Sequence, residues 1–241
     1  MALSWADECN RPAGAPPDPT LWGVRRTDRW QPAAELQTYT DDPANAHHDG
    51  NGHLVITAIR AADPRQPITS ARLSARHATT RQLFRYGRFE ARLSLPDAPG
   101  TWPAFWLLGE DDRVGWPDCG EIDIMEAPNG TRTAGQVHQG THSPSLLDAG
   151  SVAVGVPPTS GDWRGFHTYA VDWQPGLVSF TVDGRPTGTV TRRAVEAAGG
   201  WWRFDDRHLS PVINLAVGGW AGPPNDWTAA RMHVDWVRIW A

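Results

Sequence analysis

Apolar residues recur at every second position through many short stretches of this chain. That is the period of a strand with one buried and one exposed face. Leu54 to Ile59, Gly87 to Leu95, Thr168 to Trp173, Val178 to Val182 and Met232 to Ile239 all read as strands, with Gly, Pro, Asp and Asn filling the gaps. Asp183-Gly184 supplies the positive φ that a tight hairpin turn needs. Helical patterns are scarce: Thr191 to Ala198 predicts one short turn, stopped by Gly199-Gly200. Arg11 to Asp18, interrupted by Pro12, Pro16 and Pro17, predicts irregular chain. There is no fixed-period repeat and no sharp shift in composition. The pattern is all-β, most simply a two-sheet antiparallel β-sandwich formed by one domain over residues 1–241.

One strand breaks its own period. In Glu121-Ile122-Asp123-Ile124-Met125-Glu126 the alternation puts Glu121 and Asp123 on one face, but Glu126 falls one residue out of phase. An acid without a partner does not belong in an apolar core. A β-bulge between Asp123 and Glu126 restores the phase and gathers the three acids on one face. Acids packed side by side repel and push their pKa values apart, which suits acid–base chemistry. On spacing alone, a solvated acidic face or a cation site stays open as an alternative.

The flanks favour a sugar. Trp116 stands in the loop entering the acidic strand, and Trp102 and Trp106 lie a little upstream. An indole face packs against the C–H face of a pyranose while carboxyl groups act on the glycosidic oxygen. For Trp102 and Trp106 a place in the sandwich core is the competing reading. The chain holds 14 tryptophans against 3 tyrosines, more than core packing alone requires.

Composition narrows the partners. The net charge is −5 and the pI near 6.0, which argues against nucleic acid and is compatible with a neutral polymer. No apolar run approaches the roughly 20 residues needed to cross a bilayer, so no membrane partner is expected. All 22 basic residues are arginine, which removes any Schiff-base lysine mechanism. The two cysteines, Cys9 and Cys119, are too few for a disulfide framework; Cys9 reads as a small buried apolar residue, and Cys119 sits beside the acidic strand. Met1 to Ala6 lacks the basic start and apolar stretch of an export signal.

The acidic run, with Trp102-Pro103-Ala104-Phe105-Trp106 before it, resembles the motif of glycoside hydrolase family 16, closest to its bacterial laminarinase-like endo-β-1,3-glucanases. The resemblance extends along the chain through Glu35 to Thr40, Ile68 to Arg72, Tyr86 to Arg92, Phe166 to Tyr169, Asn214 to Gly219 and Val234 to Arg238. It implies a jelly roll whose concave sheet forms an open cleft. It also implies retaining hydrolysis of β-1,3-glucan, with Glu121 as nucleophile, Glu126 as acid/base, Asp123 hydrogen-bonded to Glu121, and His138 near the acid/base. Asn45, Arg72 and Trp220 match further sugar contacts. No catalytic cofactor is implied, but a structural Ca2+ is, at positions matching Glu8, Gly52 and Asp235. The same chemistry on mixed-linkage glucan or a galactan, a transglycosylase, and a non-catalytic β-glucan-binding domain are the alternatives. A secreted monomer is expected, secretion being inferred from the substrate class. The chain departs from the family in two places: Gln139-Gly140-Thr141-His142 stands where relatives often carry an aromatic, and Trp220 directly follows Gly219.

Overall fold

The computed structural model of the protein describes residues 1–25, 34–61 and 68–241. Two sheets pack face to face. In the sheet that carries the acidic strand, the order is Ser151–Gly155, Gln136–Pro144, Glu121–Glu126, Thr101–Leu108, Ser210–Val217, Arg72–Ser74 and Gly23–Val24. In the other, it is Arg185–Thr191, Leu177–Val182, Phe166–Gln174, Gly87–Ser94, Ala229–Trp240, Leu54–Ile59, Ile68–Ser70 and Gln37–Tyr39. Pairing is antiparallel among the described strands except between Gln37–Tyr39 and Ile68–Ser70, which run parallel. The architecture is the expected β-sandwich of the jelly-roll type.

Alternation builds the core. Along Gly87–Ser94 every second residue is buried, so Phe89, Ala91 and Leu93 face inward and Arg88, Glu90 and Arg92 face out. Opposite them stand Phe105 and Leu107 from Thr101–Leu108, Ile122 and Ile124 from the acidic strand, and Ile213 and Leu215 from Ser210–Val217, all fully buried. The strands read from the sequence are all present: Leu54–Ile59 is unchanged, Gly87–Ser94 is one residue shorter, and the others are one to four residues longer. The longest gain is at Ala229–Trp240, whose register slips between Val234 and Trp236.

Local signals also hold. Asp183 and Gly184 sit at φ 50° and 70° in the hairpin between Leu177–Val182 and Arg185–Thr191. The short helix runs Arg192–Ala197, capped by the Thr191 hydroxyl accepting from the Ala194 amide at 3.1 Å. The amino-terminal stretch is pinned by Asp7, which is buried and accepts from Trp22 Nε1 at 2.7 Å and the Cys9 amide at 2.9 Å. Cys9 and Cys119 are both buried and unbridged. Among the described residues, no helix is long and apolar enough to cross a membrane.

Phe105 supports the site from beneath, between the two residues that pair with the acidic strand around its kink. Phe105→Ala should therefore cost about 3–5 kcal/mol in a denaturant titration.

Candidate active site

The acidic strand is bulged where the sequence places the bulge. Against Gln136–Pro144, Glu121 pairs with His142, Ile122 with Thr141 and Asp123 with Gly140. Glu126 then pairs with His138, so three steps on one strand meet two on the other. Ile124 and Met125 are both fully buried, and their consecutive burial returns Glu126 to the face of Glu121 and Asp123. The bulge leaves the Ile124 carbonyl without its usual ladder partner. Buried Gln139 donates Nε2 to it at 2.8 Å, and the Gln139 Oε1 accepts from Thr187 Oγ1 at 2.5 Å.

Each glutamate has an indole and an imidazole of its own. Trp116 Nε1 donates to Glu121 Oε2 at 3.0 Å, and the Trp116 ring lies 6.0 Å from that of His142, across the ladder from Glu121. Trp102 Nε1 donates to Glu126 Oε1 at 2.9 Å. Across the ladder from Glu126 is His138, whose ring is 4.5 Å from Trp220; the Trp220 ring in turn meets Trp102 edge-on at 5.9 Å. Trp106 also faces the cleft: its Nε1 donates to Asn214 Oδ1 at 2.7 Å and the Arg72 guanidinium lies 4.6 Å over its ring.

Burial raises the pKa of all three acids, and for Asp123 and Glu121 repulsion from neighbouring carboxylates adds to it. Glu121 and Glu126 both stand well above the ordinary carboxylate range. The groups share charge, however, so ionising one holds another protonated. The surrounding donors differ between the two glutamates. Glu121 is favoured as carboxylate by the Trp116 N–H, the Arg72 charge and a hydrogen bond with Asp123, whereas Glu126 has the Trp102 N–H alone. Asp123, held well above the usual carboxylate range, is the proton donor in its bond to Glu121. The arrangement thus provides one ionised glutamate and one protonated glutamate on a single face. Burial lowers the pKa of His138 and of His142, which keeps both imidazoles neutral beside the acids.

The profile of glycosyl hydrolases family 16 matches residues 37–238. The chain belongs to glycosyl hydrolase family 16. A beta-glucanase from Rhodothermus marinus is 34% identical over 251 residues, covering 99% of this chain and 84% of the relative. The catalytic domain of an endo-1,3-beta-glucanase (laminarinase) from Thermotoga petrophila superposes with a TM-score of 0.81 at 31% identity, covering 100% of this chain and 97% of that one. LamA from Zobellia galactanivorans, in complex with laminaritriose and laminaritetraose, superposes with a TM-score of 0.81 at 25% identity, covering 99% and 98%. These likenesses support an endo-β-glucanase of family 16, and relatives of this fold bind β-glucan oligosaccharides.

Within that family site, Glu121, Asp123, Glu126, His138, Trp116, Trp102, Trp106, Arg72 and Trp220 all gather on the cleft face. Asn45 does not. It is 1% exposed, and its amide is used by Thr57 O at 2.9 Å, Thr69 Oγ1 at 3.1 Å and Thr40 Oγ1 at 2.6 Å, within the opposite sheet. Its role is to tie strands together, so the expected sugar contact is corrected. The acidic side chains at the expected Ca2+ positions are engaged in ion pairs. The Asp235 carboxylate accepts from Arg92, and the Glu8 carboxylate accepts two bonds of 2.8 Å from Arg238. The Ca2+ that the resemblance implies would draw on the Glu8 and Gly52 backbone carbonyls together with Asp235.

His142 and Asn214 were not singled out from sequence. His142 Nε2 is 3.7 Å from Asp123 Oδ2, and Glu121, Asp123 and His142 offer ligand atoms all within 4.8 Å of one another. Strand parity from His138 points to His142, since residues 138, 140 and 142 share a face. Asn214 had no such signal.

Two outcomes follow from the charges. The pH–rate profile should be bell-shaped, falling on its alkaline side as the acid/base loses its proton, and Trp116→Phe should move the acidic limb upward, because Glu121 loses a donor. Stability has the opposite sign from that of a salt-bridged acid. A raised folded-state pKa means the folded protein holds the proton longer than the unfolded chain. The contribution is full below 4.5 and is lost as pH rises toward about 7. Thermal melts should show Glu126→Gln more stable than the parent at pH 8 and similar to it at pH 4.

Proposed function

We propose that this protein cleaves internal β-1,3 linkages of β-glucan with net retention of configuration. The observation that carries the reading is the bulge, which sets Glu121 and Glu126 on one face with different hydrogen-bond donors. Retaining hydrolysis needs one carboxylate and one carboxylic acid about 5–5.5 Å apart. In the first step the Glu121 carboxylate attacks the anomeric carbon while the bond to the leaving oxygen breaks. That oxygen takes the Glu126 proton, and a glycosyl-enzyme ester forms. In the second step the Glu126 carboxylate takes a proton from water, the water oxygen attacks the same carbon, and Glu121 is released as carboxylate. The Asp123 proton, bonded to Glu121, tempers the nucleophile's charge between the two steps.

Linkage preference is read from the motif. Relatives specific for mixed-linkage glucan space their acids without the extra residue, so the bulged strand supports the β-1,3 type. Trp116, Trp220 and the partly exposed faces of Trp102 and Trp106 provide apolar surfaces for pyranose rings. A polymeric substrate of this kind carries with it an extracellular location. A monomer suffices, because every group named above comes from one chain.

The test is a panel of laminarin, curdlan, lichenan, agarose and xyloglucan, with products sized by chromatography and their anomeric form followed by NMR. Short β-1,3-oligosaccharides with initially retained configuration are expected. Inverted product would refute double displacement, and faster release from lichenan would move the preference to mixed linkages. Glu121→Gln should lower kcat by at least about 10³-fold while keeping oligosaccharide affinity, and azide should partly rescue Glu126→Ala by forming a glycosyl azide.

A further inference from the structure

Beyond the start of the acidic strand, the sheet is continued by a different piece of chain. Gly200 pairs antiparallel with Ser145, and the Trp201 amide donates to the Pro144 carbonyl at 2.9 Å. Trp201 therefore stands opposite Pro144, and residues directly opposite in an antiparallel pair share a face. Pro144 follows His138, Gly140 and His142 at steps of two, on the cleft side of its strand. Trp201 thus emerges on the cleft face. Along the strand it lies two residues, roughly 7 Å, past the position that pairs with Glu121.

Its neighbours show what this ring is for. Trp202, one residue on, takes the core place and is 5% exposed, whereas Trp201 is 50% exposed. One face of the Trp201 indole is backed by the Arg203 guanidinium at 3.4 Å. Arg203 is itself buried and held by Asp118, whose Oδ1 accepts its Nε at 2.8 Å, and by Asp206 at 3.3 Å. Asp118 also accepts from Arg207 Nη2 at 2.7 Å. Asp118 belongs to the loop that aims Trp116 at Glu121, so the ion cluster fixes both tryptophans in one frame. An indole held rigid from behind, with its other face open on a saccharide cleft, loses little entropy when a ring stacks on it.

We infer that Trp201, backed by Arg203, is a sugar-stacking platform for a glucosyl unit of the bound β-glucan lying beyond the scissile linkage, past the Glu121 end of the site. This rests on the proposed glucanase reading. The ring it receives belongs either to the polymer backbone or to a side branch, and the contact chemistry is the same for both.

Binding is measured in a Glu121→Gln background, so that turnover does not interfere. Affinity electrophoresis through laminarin should show Trp201→Ala bound about fivefold more weakly than its parent, with Trp201→Phe close to the parent. Laminaritriose, bound next to the acids, should show the same calorimetric affinity for all three proteins, and their melting temperatures should agree. A matching loss on linear laminarihexaose assigns a backbone unit; a loss confined to branched laminarin assigns a branch. Equal retardation of Trp201→Ala and parent overturns the platform and leaves the glucanase reading standing. An equal loss on laminaritriose also overturns it, because Trp201 would then act at the centre rather than beyond it. If no glucan retards the parent and none is hydrolysed by the unmutated protein, the glucanase reading falls and the platform falls with it.

Discussion

One extra residue in a six-residue strand is the constraint on which this site depends. Without it, Glu126 would point into an apolar core and the face would present only two acids. With it, Ile124 and Met125 fill the core in succession and the third acid returns to the cleft. The kink has a cost, a carbonyl displaced from the ladder, and buried Gln139 meets it with a side-chain amide. Gln139 opens the Gln139-Gly140-Thr141-His142 segment that departs from the family pattern, and it supports the bulge from below.

The electrostatics follow from that geometry. Three carboxyl groups on one face with limited access to water cannot all ionise, and burial alone would leave them equivalent. The surrounding donors make them different. Trp116, Arg72 and Asp123 converge on Glu121, while Glu126 has Trp102. The paired indoles therefore do two things: they offer rings to the sugar and they set which acid holds the proton.

Much of this was legible in the sequence because it is carried by parity. Strand positions, the Asp183-Gly184 hairpin, the bulge and the shared face of Glu121, Asp123 and Glu126 all follow from a period of two and the places where it breaks. What parity cannot give is which sheet a residue joins or who stands across from it. Asn45 was misread for that reason: its buried amide serves three threonines in the opposite sheet. Asp235, read from sequence only as a Ca2+ position, accepts from Arg92, 143 residues away. His142 acquires its significance from the register that sets it against Glu121, and Trp201 from a bridge between Gly200 and Ser145 that no local pattern announces.

Gln139 does not stop at the bulge. Its carbonyl oxygen is held by Thr187, in the strand Arg185–Thr191 at the far edge of the other sheet. The catalytic kink is thus leashed to a border strand with a neighbour on one side only. Borders fray before interiors as temperature climbs. A rise that loosens this hem slackens the leash and lets the kink relax while the two-layer body still stands, so that warming silences the enzyme before it melts the protein.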